Sequence, residues 1–376
     1  MFWIWSGFVL FVLMLLALDL GVFNRKAHVI GVKEALKWSA FWIALGVLFS
    51  VFVYFGYENH WLGLGLAPDG TVAIDPIDKQ PMEGNHATIK YFTGYVIEKS
   101  LSVDNIFVIA LVFTYFKVPA MYQHRVLFWG ILGALIMRGA MIGLGAVLIA
   151  RFHWIIYVFG VFLILTGLKM LFSKEDDAKE VSENFLVRQT RKFFPITDNY
   201  HGQHFIVRAG SKQSHEPEVY HKGDTIPDNV PVDAAVERAK AGTLMLTPLM
   251  LALIVVETTD LIFAVDSIPA IFAITGDPFI VFTSNVFAIL GLRSLYFALA
   301  GLITAFRYLK TALALVLTLV GVKMLIAKQI KDLVGENYNF YLLGVIFLIL
   351  AAGVFASIIA NRRDASRVPN PVKDNL

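Results

Sequence analysis

Glu257-Thr-Thr-Asp-Leu-Ile-Phe-Ala-Val-Asp-Ser-Ile-Pro-Ala-Ile-Phe272 sets three carboxylates inside an apolar run that begins near residue 243 and ends near 274. A run this long spans a bilayer core of roughly 30 Å. A charge at its centre costs about 2.5–3.5 kcal/mol on insertion scales, so the acids must face protein and not lipid. A second run, beginning near 88, carries Glu98, Lys99, Asp104 and Asn105 in the same kind of surroundings.

The remainder of the chain has the same character. Of 376 residues, 57% are hydrophobic and only 16% charged, too little polar surface for a soluble protein. Hydropathy predicts an all-α polytopic membrane protein with nine spans, near 2–23, 38–57, 88–116, 126–149, 154–173, 243–274, 279–306, 311–327 and 340–360. Basic loop residues such as Arg25, Lys26, Arg125, Arg307 and Arg362 gather on one side if the N-terminus is outside and the C-terminus cytoplasmic. Glu58, Asp69, Asp75, Asp78 and Glu83 then face out. Residues 174–242 are polar and read as a cytoplasmic insertion, with a short strand expected at His204–Arg208 and no span depending on its apolar contacts. The first apolar run has no basic leader and reads as a retained helix. With no cysteine in the chain, disulfides and thiolate metal sites are excluded. The formal charge of +3 is small and spread over loops, which argues against nucleic-acid binding.

The sequence also repeats itself. Gly167-Leu-Lys-Met-Leu-Phe-Ser-Lys174 matches Gly321-Val-Lys-Met-Leu-Ile-Ala-Lys328, Arg138 matches Arg293, and Glu98-x5-Asp104-Asn-Ile matches Asp260-x5-Asp266-Ser-Ile. Each copy holds three spans, so the second enters the membrane from the opposite side. The expected organisation is a two-helix segment with an external loop (1–87), a first three-helix repeat (88–173), the insertion (174–242), an inverted three-helix repeat (243–328), and a last helix with its tail (329–376). Inverted repeats of this kind place a substrate site near mid-membrane, where interrupted helices of the two copies meet. Pro269, three residues after Asp266, frees the carbonyl of Val265 as an acceptor.

Inside the spans, Asp19, Glu98, Asp104, Glu257, Asp260 and Asp266 outnumber Lys99, Arg138 and Arg293. Lys90, Lys169 and Lys323 lie near span ends, and Lys169 and Lys323 read as snorkelling anchors. On a regular helix Glu98 shares a face with Asn105, and Asp260 with Ser267. Asp104 and Asp266 lie about 120° away. Either the helices unwind between the acids, or one acid of each pair binds a cation while the other pairs with Arg138 or Arg293. Oxygen ligands without thiolates, and without histidine in any span, suit manganese, magnesium or calcium. The expected ligand set is Glu98, Asp104, Asn105, Asp260 and Asp266, with Arg138 and Arg293 as counter-charges and Asp19 and Glu257 in gating or relay roles. Clustered carboxylates also favour proton coupling. His201, His204, His215 and His221 in the insertion read as solvated loop residues.

Four segments carry a resemblance: Leu18-Asp-Leu-Gly-Val-Phe-Asn24, Leu101-Ser-Val-Asp-Asn105, Glu257–Phe272 and Asn285-Val-Phe-Ala-Ile-Leu-Gly-Leu-Arg-Ser-Leu-Tyr296. Together the chain resembles the TerC family, on its Alx-like branch, from residue 1 to about 365. The resemblance implies a bacterial inner-membrane, multi-pass protein related to the LysE transporter superfamily, named for tellurite resistance and associated with manganese efflux. Glu98, Asp104, Asp260 and Asp266 match the family's motif acids, while the insertion is longer than is usual in it. The expectation is a non-enzymatic exporter of a hard divalent cation, manganese(II) foremost, with no resident cofactor and with the lipid bilayer, the cation and protons as its partners. The alternative is a scaffold or metal-sensing component of a stress-resistance system. An intramembrane aspartyl protease lacks its Gly-x-Gly-Asp signature here, and a nucleotide-driven pump lacks its phosphate loop.

Overall fold

The computed structural model describes residues 2–18, 31–152, 154–172, 189–190, 192–216, 233–299, 308–326, 329–330, 333 and 338–367, excepting the side chains of residues 103, 104, 107, 212, 215, 340 and 361–367. Asp19 and His221, singled out above, lie outside them.

Helices dominate. In chain order they are α1 (Phe2–Leu18), α2 (Val32–Glu58), α3 (Gly84–Tyr115), α4 (Ala120–Arg151), α5 (Ile155–Phe172), the short α6 (Ala234–Arg238), α7 (Pro248–Phe272), α8 (Pro278–Leu290), α9 (Leu292–Leu299), α10 (Leu309–Leu325) and α11 (Tyr338–Arg367). Their starts follow from local chemistry. Pro248 and Pro278 open α7 and α8, where a missing N–H costs nothing. The Asp277 carboxylate caps α8 by accepting from the N–H groups of Phe279 and Ile280.

Among the described residues six helical stretches are long and apolar enough to cross a membrane: Val32–Glu58, Ala120–Arg151, Ile155–Phe172, Pro248–Phe272, the α8–α9 stretch Pro278–Leu299, and Tyr341–Ala360. Helix α1 is apolar but shorter. Helix α3 has ample length, yet its mean hydropathy is lowered by Lys90, Glu98, Lys99 and Asp104. Burial is inverted relative to a soluble protein: Leu10, Leu48, Ile136, Leu165 and Leu348 are exposed, while Lys90, Glu98, Arg138 and Lys323 are buried. Lipid is the solvent that makes this stable. The all-α polytopic membrane class is therefore what the structure has.

Helices α3 and α7 run antiparallel through the centre. Helix α3 starts beside the 59–83 connection and ends where Tyr200 of the insertion donates to the Phe116 carbonyl, at 2.6 Å. Helix α7 starts at the insertion and ends beside Thr275, whose hydroxyl donates to Asp75 of the 59–83 connection, at 2.5 Å. Helix α8, buried along nearly its whole length, packs between α3, α4 and α2. Helices α5 and α10 lie antiparallel at backbone contact. A Cβ on Gly321 would fall 2.8 Å from the Gly160 carbonyl oxygen, and one on Gly167 would fall 2.7 Å from that of Ala314. Small residues permit this approach where lipid supplies no hydrophobic drive between helices.

Two expectations need correction. Lys323 does not snorkel, and Lys90, also near a span end, is enclosed as well. Lys90 is wholly buried, with Nζ 3.0 Å from Asp75 and 2.9 Å from Asp78. Lys323 is equally enclosed, donating to the Ala273 carbonyl at 2.8 Å and lying over the Tyr338 ring. Nor is the insertion free of apolar ties. Strand β1 (Ile206–Arg208) pairs antiparallel with β2 (Leu244–Leu246), but Tyr200, Ile196 and Phe205 pack into the apolar cluster of α3, α4 and α7. Arg125 of α4 lies over Phe205 as a cation–π pair, 5.3 Å from its centroid.

Around Asp75 the 59–83 connection is a buried polar knot. Its carboxylate accepts from Lys90, Thr275 and the N–H groups of Ile77 and Gly276, while Asn339 of α11 donates to Asp78 at 2.6 Å. Burial disfavours the Asp75 charge, but Lys90 and these donors outweigh it and hold its carboxyl below the usual carboxylate range. A lowered pKa stabilises the fold fully above the unfolded value, near 3.9, and the gain is lost as pH falls through the lower folded value. The melting temperature in detergent is accordingly expected to hold from pH 7 to 5 and to drop below about pH 4. In Asp75→Asn the protein should start less stable and show a shallower acid drop. A parental acid profile in that variant would contradict the assignment.

Candidate functional site

One guanidinium organises the membrane interior. Arg138, midway along α4 and buried, donates from Nη2 and Nε to the two Asp260 oxygens, at 3.0 and 3.3 Å. Its Nη1 donates to Glu98 of α3, to Asn285 Oδ1 of α8 at 2.8 Å, and to Ser267 Oγ of α7 at 3.3 Å. The local reason is helical periodicity: Asp260 and Ser267 are two turns apart on one face, so both reach the same group. Glu98 and Asp260, matched acids of the two sequence repeats, thus share a single cation of the protein.

The network is not saturated. Among the described residues Glu98 Oε2 and Asn105 Oδ1 are buried without a hydrogen-bond partner. Next to Asn105 lies a cavity of about 20 Å³, lined by Asn105, Thr259 and Asp260 together with apolar groups such as Leu127, Val256 and Leu292. That is room for one water or one small ion. Leaving a buried acceptor unsatisfied costs about 1–3 kcal/mol, so these oxygens call for an occupant.

The other expected residues are placed differently. Asp266 is half-buried and accepts from Thr166 of α5 at 3.4 Å, on a different side of α7 from Asp260. Helix α7 does not unwind, and Pro269 is accommodated within it. Six residues of unbroken helix are what separates the two acids by about 120°. Asp104 lies in α3, which is also continuous; its side chain is outside the described residues. Glu257 packs its carboxylate against Gly133 of α4, where only the missing side chain leaves space, and its Oε2 is buried without a partner. Arg293 is buried at the start of α9, so neither repeat arginine faces lipid. Among the described residues no three His, Asp or Glu side chains are grouped to hold a metal, and Arg138 stands between Glu98 and Asp260. In the insertion, His201 is buried 3.3 Å from Asp233, and His204 lies 3.3 Å from Glu216. Burial chiefly holds His201 below its ordinary pKa, with Asp233 opposing. These two are ordered partners and not solvated loop residues.

Sequence reasoning named Asn285 and Lys99 but gave neither a role in the site. Lys99 donates to the Ala288 carbonyl at 3.0 Å, just before the α8–α9 break at Gly291. A Cβ on Gly291 would approach the Lys99 Nζ to 3.0 Å. The signal was present in the segment Asn285–Tyr296, which joins a polar residue, a glycine and an arginine in one apolar stretch.

Comparison with known proteins agrees with this architecture. The family model "Integral membrane protein TerC family" matches residues 83–365. A membrane protein of Myxococcus xanthus is 44% identical over 361 residues, covering 96% of this chain and 93% of its own. An Escherichia coli protein, provisionally named a membrane-bound redox modulator, Alx, is 41% identical over 367 residues, with 97% of each chain covered. A Rickettsia bellii membrane protein is 36% identical over 355 residues, 94% of this chain and 97% of its own. No solved structure matches the chain. The buried acids, the arginine between them and these matches together identify the chain as a member of the TerC family of integral membrane proteins.

Proposed function

We propose that this chain is a transporter that exports a hard divalent cation, manganese(II) foremost, from a bacterial cytoplasm, with proton exchange as its driving force. The observation that carries the reading is the convergence of Glu98 and Asp260 on Arg138, with Asp260 also lining a cavity together with Asn105 and Thr259. Carboxylate, amide and hydroxyl oxygens are the ligands a hard cation selects. In this reading Asp104 and Asp266 are further ligands, Asp19 and Glu257 have gating or relay roles, and Arg293 is the second counter-charge. The chain acts without covalent catalysis and without a resident cofactor.

Two observations favour nine spans and an inverted repeat. Helices α3 and α7, which bear the matched acids, are antiparallel. The α5–α10 contacts are also mutual images: Gly160 meets Gly321 and Gly167 meets Ala314, while the repeat alignment pairs Gly167 with Gly321 and Gly160 with Ala314. A pseudo-two-fold axis produces that exchange. The basic-loop asymmetry then orients the protein in the inner membrane with its N-terminus outside and its C-terminus cytoplasmic.

The name of the Escherichia coli relative describes a redox role. With no cysteine, this chain has no thiol couple to run one. Control of a redox-active metal is how such a role would fit. The test is flux of manganese, magnesium, calcium and zinc in proteoliposomes holding only this protein, under a set pH gradient. Manganese flux dependent on the gradient is expected. Absence of flux for every ion would return the scaffold or sensor reading.

A further inference from the structure

Arg138 is more than a counter-charge. It makes five hydrogen bonds, and every acceptor is an oxygen: two from Asp260 and one each from Glu98, Asn285 and Ser267. These come from α3, α7 and α8, the helices that enclose the cavity together with α4. Carboxylate, amide and hydroxyl oxygens converging from several helices are the ligand set of a hard divalent ion. Here a guanidinium holds them.

We infer that Arg138 is an internal competitor for the transported cation, its guanidinium and the ion binding alternately to Glu98, Asp260 and Asn285. This rests on the reading that these carboxylates belong to the cation site. The geometry requires alternation because Asp260 offers both its oxygens to Arg138 and Glu98 offers one. An ion ligated by the same carboxylates would stand against a guanidinium in a desolvated interior, where like charges repel far more strongly than in water. The remaining acceptors, Glu98 Oε2 and Asn105 Oδ1, lack partners among the described residues while the arginine is in place. Two arrangements follow. Cation entry begins at Asn105 and Asp260, which line the cavity, and pulls the carboxylates from Arg138. Return of the guanidinium then expels the ion, so the arginine lowers affinity and raises the rate of release.

The fork geometry of arginine matters to this role. Lysine carries the same charge but cannot engage both Asp260 oxygens and Glu98 together, so it competes less well.

The test is manganese binding by calorimetry to the purified full chain in detergent, comparing parent, Arg138→Ala, Arg138→Lys and Asp260→Asn. Arg138→Ala is expected to bind manganese about tenfold more tightly, within the usual range of coupling between two sites. Arg138→Lys should fall between it and the parent. Added guanidinium chloride, at millimolar concentration, should restore weak binding in Arg138→Ala and leave the parent unchanged, a response that a purely structural arginine would not give. In proteoliposomes both arginine variants should show lower KM and lower kcat together. If Arg138→Ala does not fold, Arg138→Lys decides. Parental or weaker affinity in the arginine variants, with binding lost in Asp260→Asn, would overturn the competitor and leave the site. Parental affinity in Asp260→Asn would overturn the site itself, and the inference with it.

Discussion

Asp260→Asn is expected to abolish divalent-cation flux in proteoliposomes while the protein still inserts and folds. The substitution keeps the size of the side chain and one oxygen but removes a formal charge. Hard-ion sites set their affinity over orders of magnitude by ligand charge, so a loss of about a hundredfold or more is expected. The fold should tolerate the change better than removal of a sole partner, which costs about 3–5 kcal/mol for a buried pair. Arg138 would keep Glu98, Asn285 and Ser267 as acceptors. A stability loss of about 1–3 kcal/mol is the corresponding expectation for one charged hydrogen-bonded contact. Thermal melting in detergent and manganese flux should therefore part company: a small shift in one, collapse of the other. Parental flux in Asp260→Asn would remove the carboxylate site from the transport path.

Much of this interior was legible in the sequence because membrane energetics leave few options for a charge. Glu98, Asp260 and Arg138 stand in apolar runs, and the cost of exposing them to lipid predicts that they meet, as they do. The choice between unwound helices and split acids was open at that level. Periodicity measures the angle between Asp260 and Asp266 but cannot say whether the helix between them stays regular. It does, so Asp260 goes to α4 and Asp266 to Thr166 of α5.

The knot around Asp75 was hidden for a different reason. Hydropathy and loop charges assign Asp75 and Asp78 to a connection between spans, and a connection is ordinarily solvated. That this one folds back over Lys90, Thr275 and Asn339 depends on contacts 12 to 261 residues apart in sequence, which no local pattern records. Lys323 was misread for the same cause. A lysine near a span end has two outlets, the headgroup region or a buried acceptor, and the sequence shows only its position.

Gly167→Ala and Gly321→Ala are expected to destabilise the protein by matching amounts, which tests the repeat through its packing and not through its charges. At Gly167 the new Cβ would meet Thr318 and, at 2.7 Å, the Ala314 carbonyl oxygen. At Gly321 it would meet the Gly160 carbonyl oxygen at 2.8 Å and Ile164 N at 3.0 Å. Backbone atoms of a facing helix cannot swing aside, so α5 and α10 must separate. Overpacking of this kind costs about 1–3 kcal/mol, and the double variant should cost more than either alone. Controls are available within the same membrane region. A Cβ at Gly143 of α4 or Gly344 of α11 meets nothing within 4 Å, so alanine there should be neutral or slightly stabilising through its better helix propensity. Larger residues sharpen the contrast: Gly321→Val should prevent accumulation of folded protein, whereas Gly344→Val should not. Melting temperature and yield in detergent are the measurements. Equal losses at Gly167 and Gly321 are what an exchanged pair of contacts requires, since each glycine faces the counterpart of the residue that the other faces. A severe loss at one position with none at the other would mean that α5 and α10 meet by a contact particular to this chain, and the pseudo-two-fold relation between the acid-bearing helices would lose its packing support.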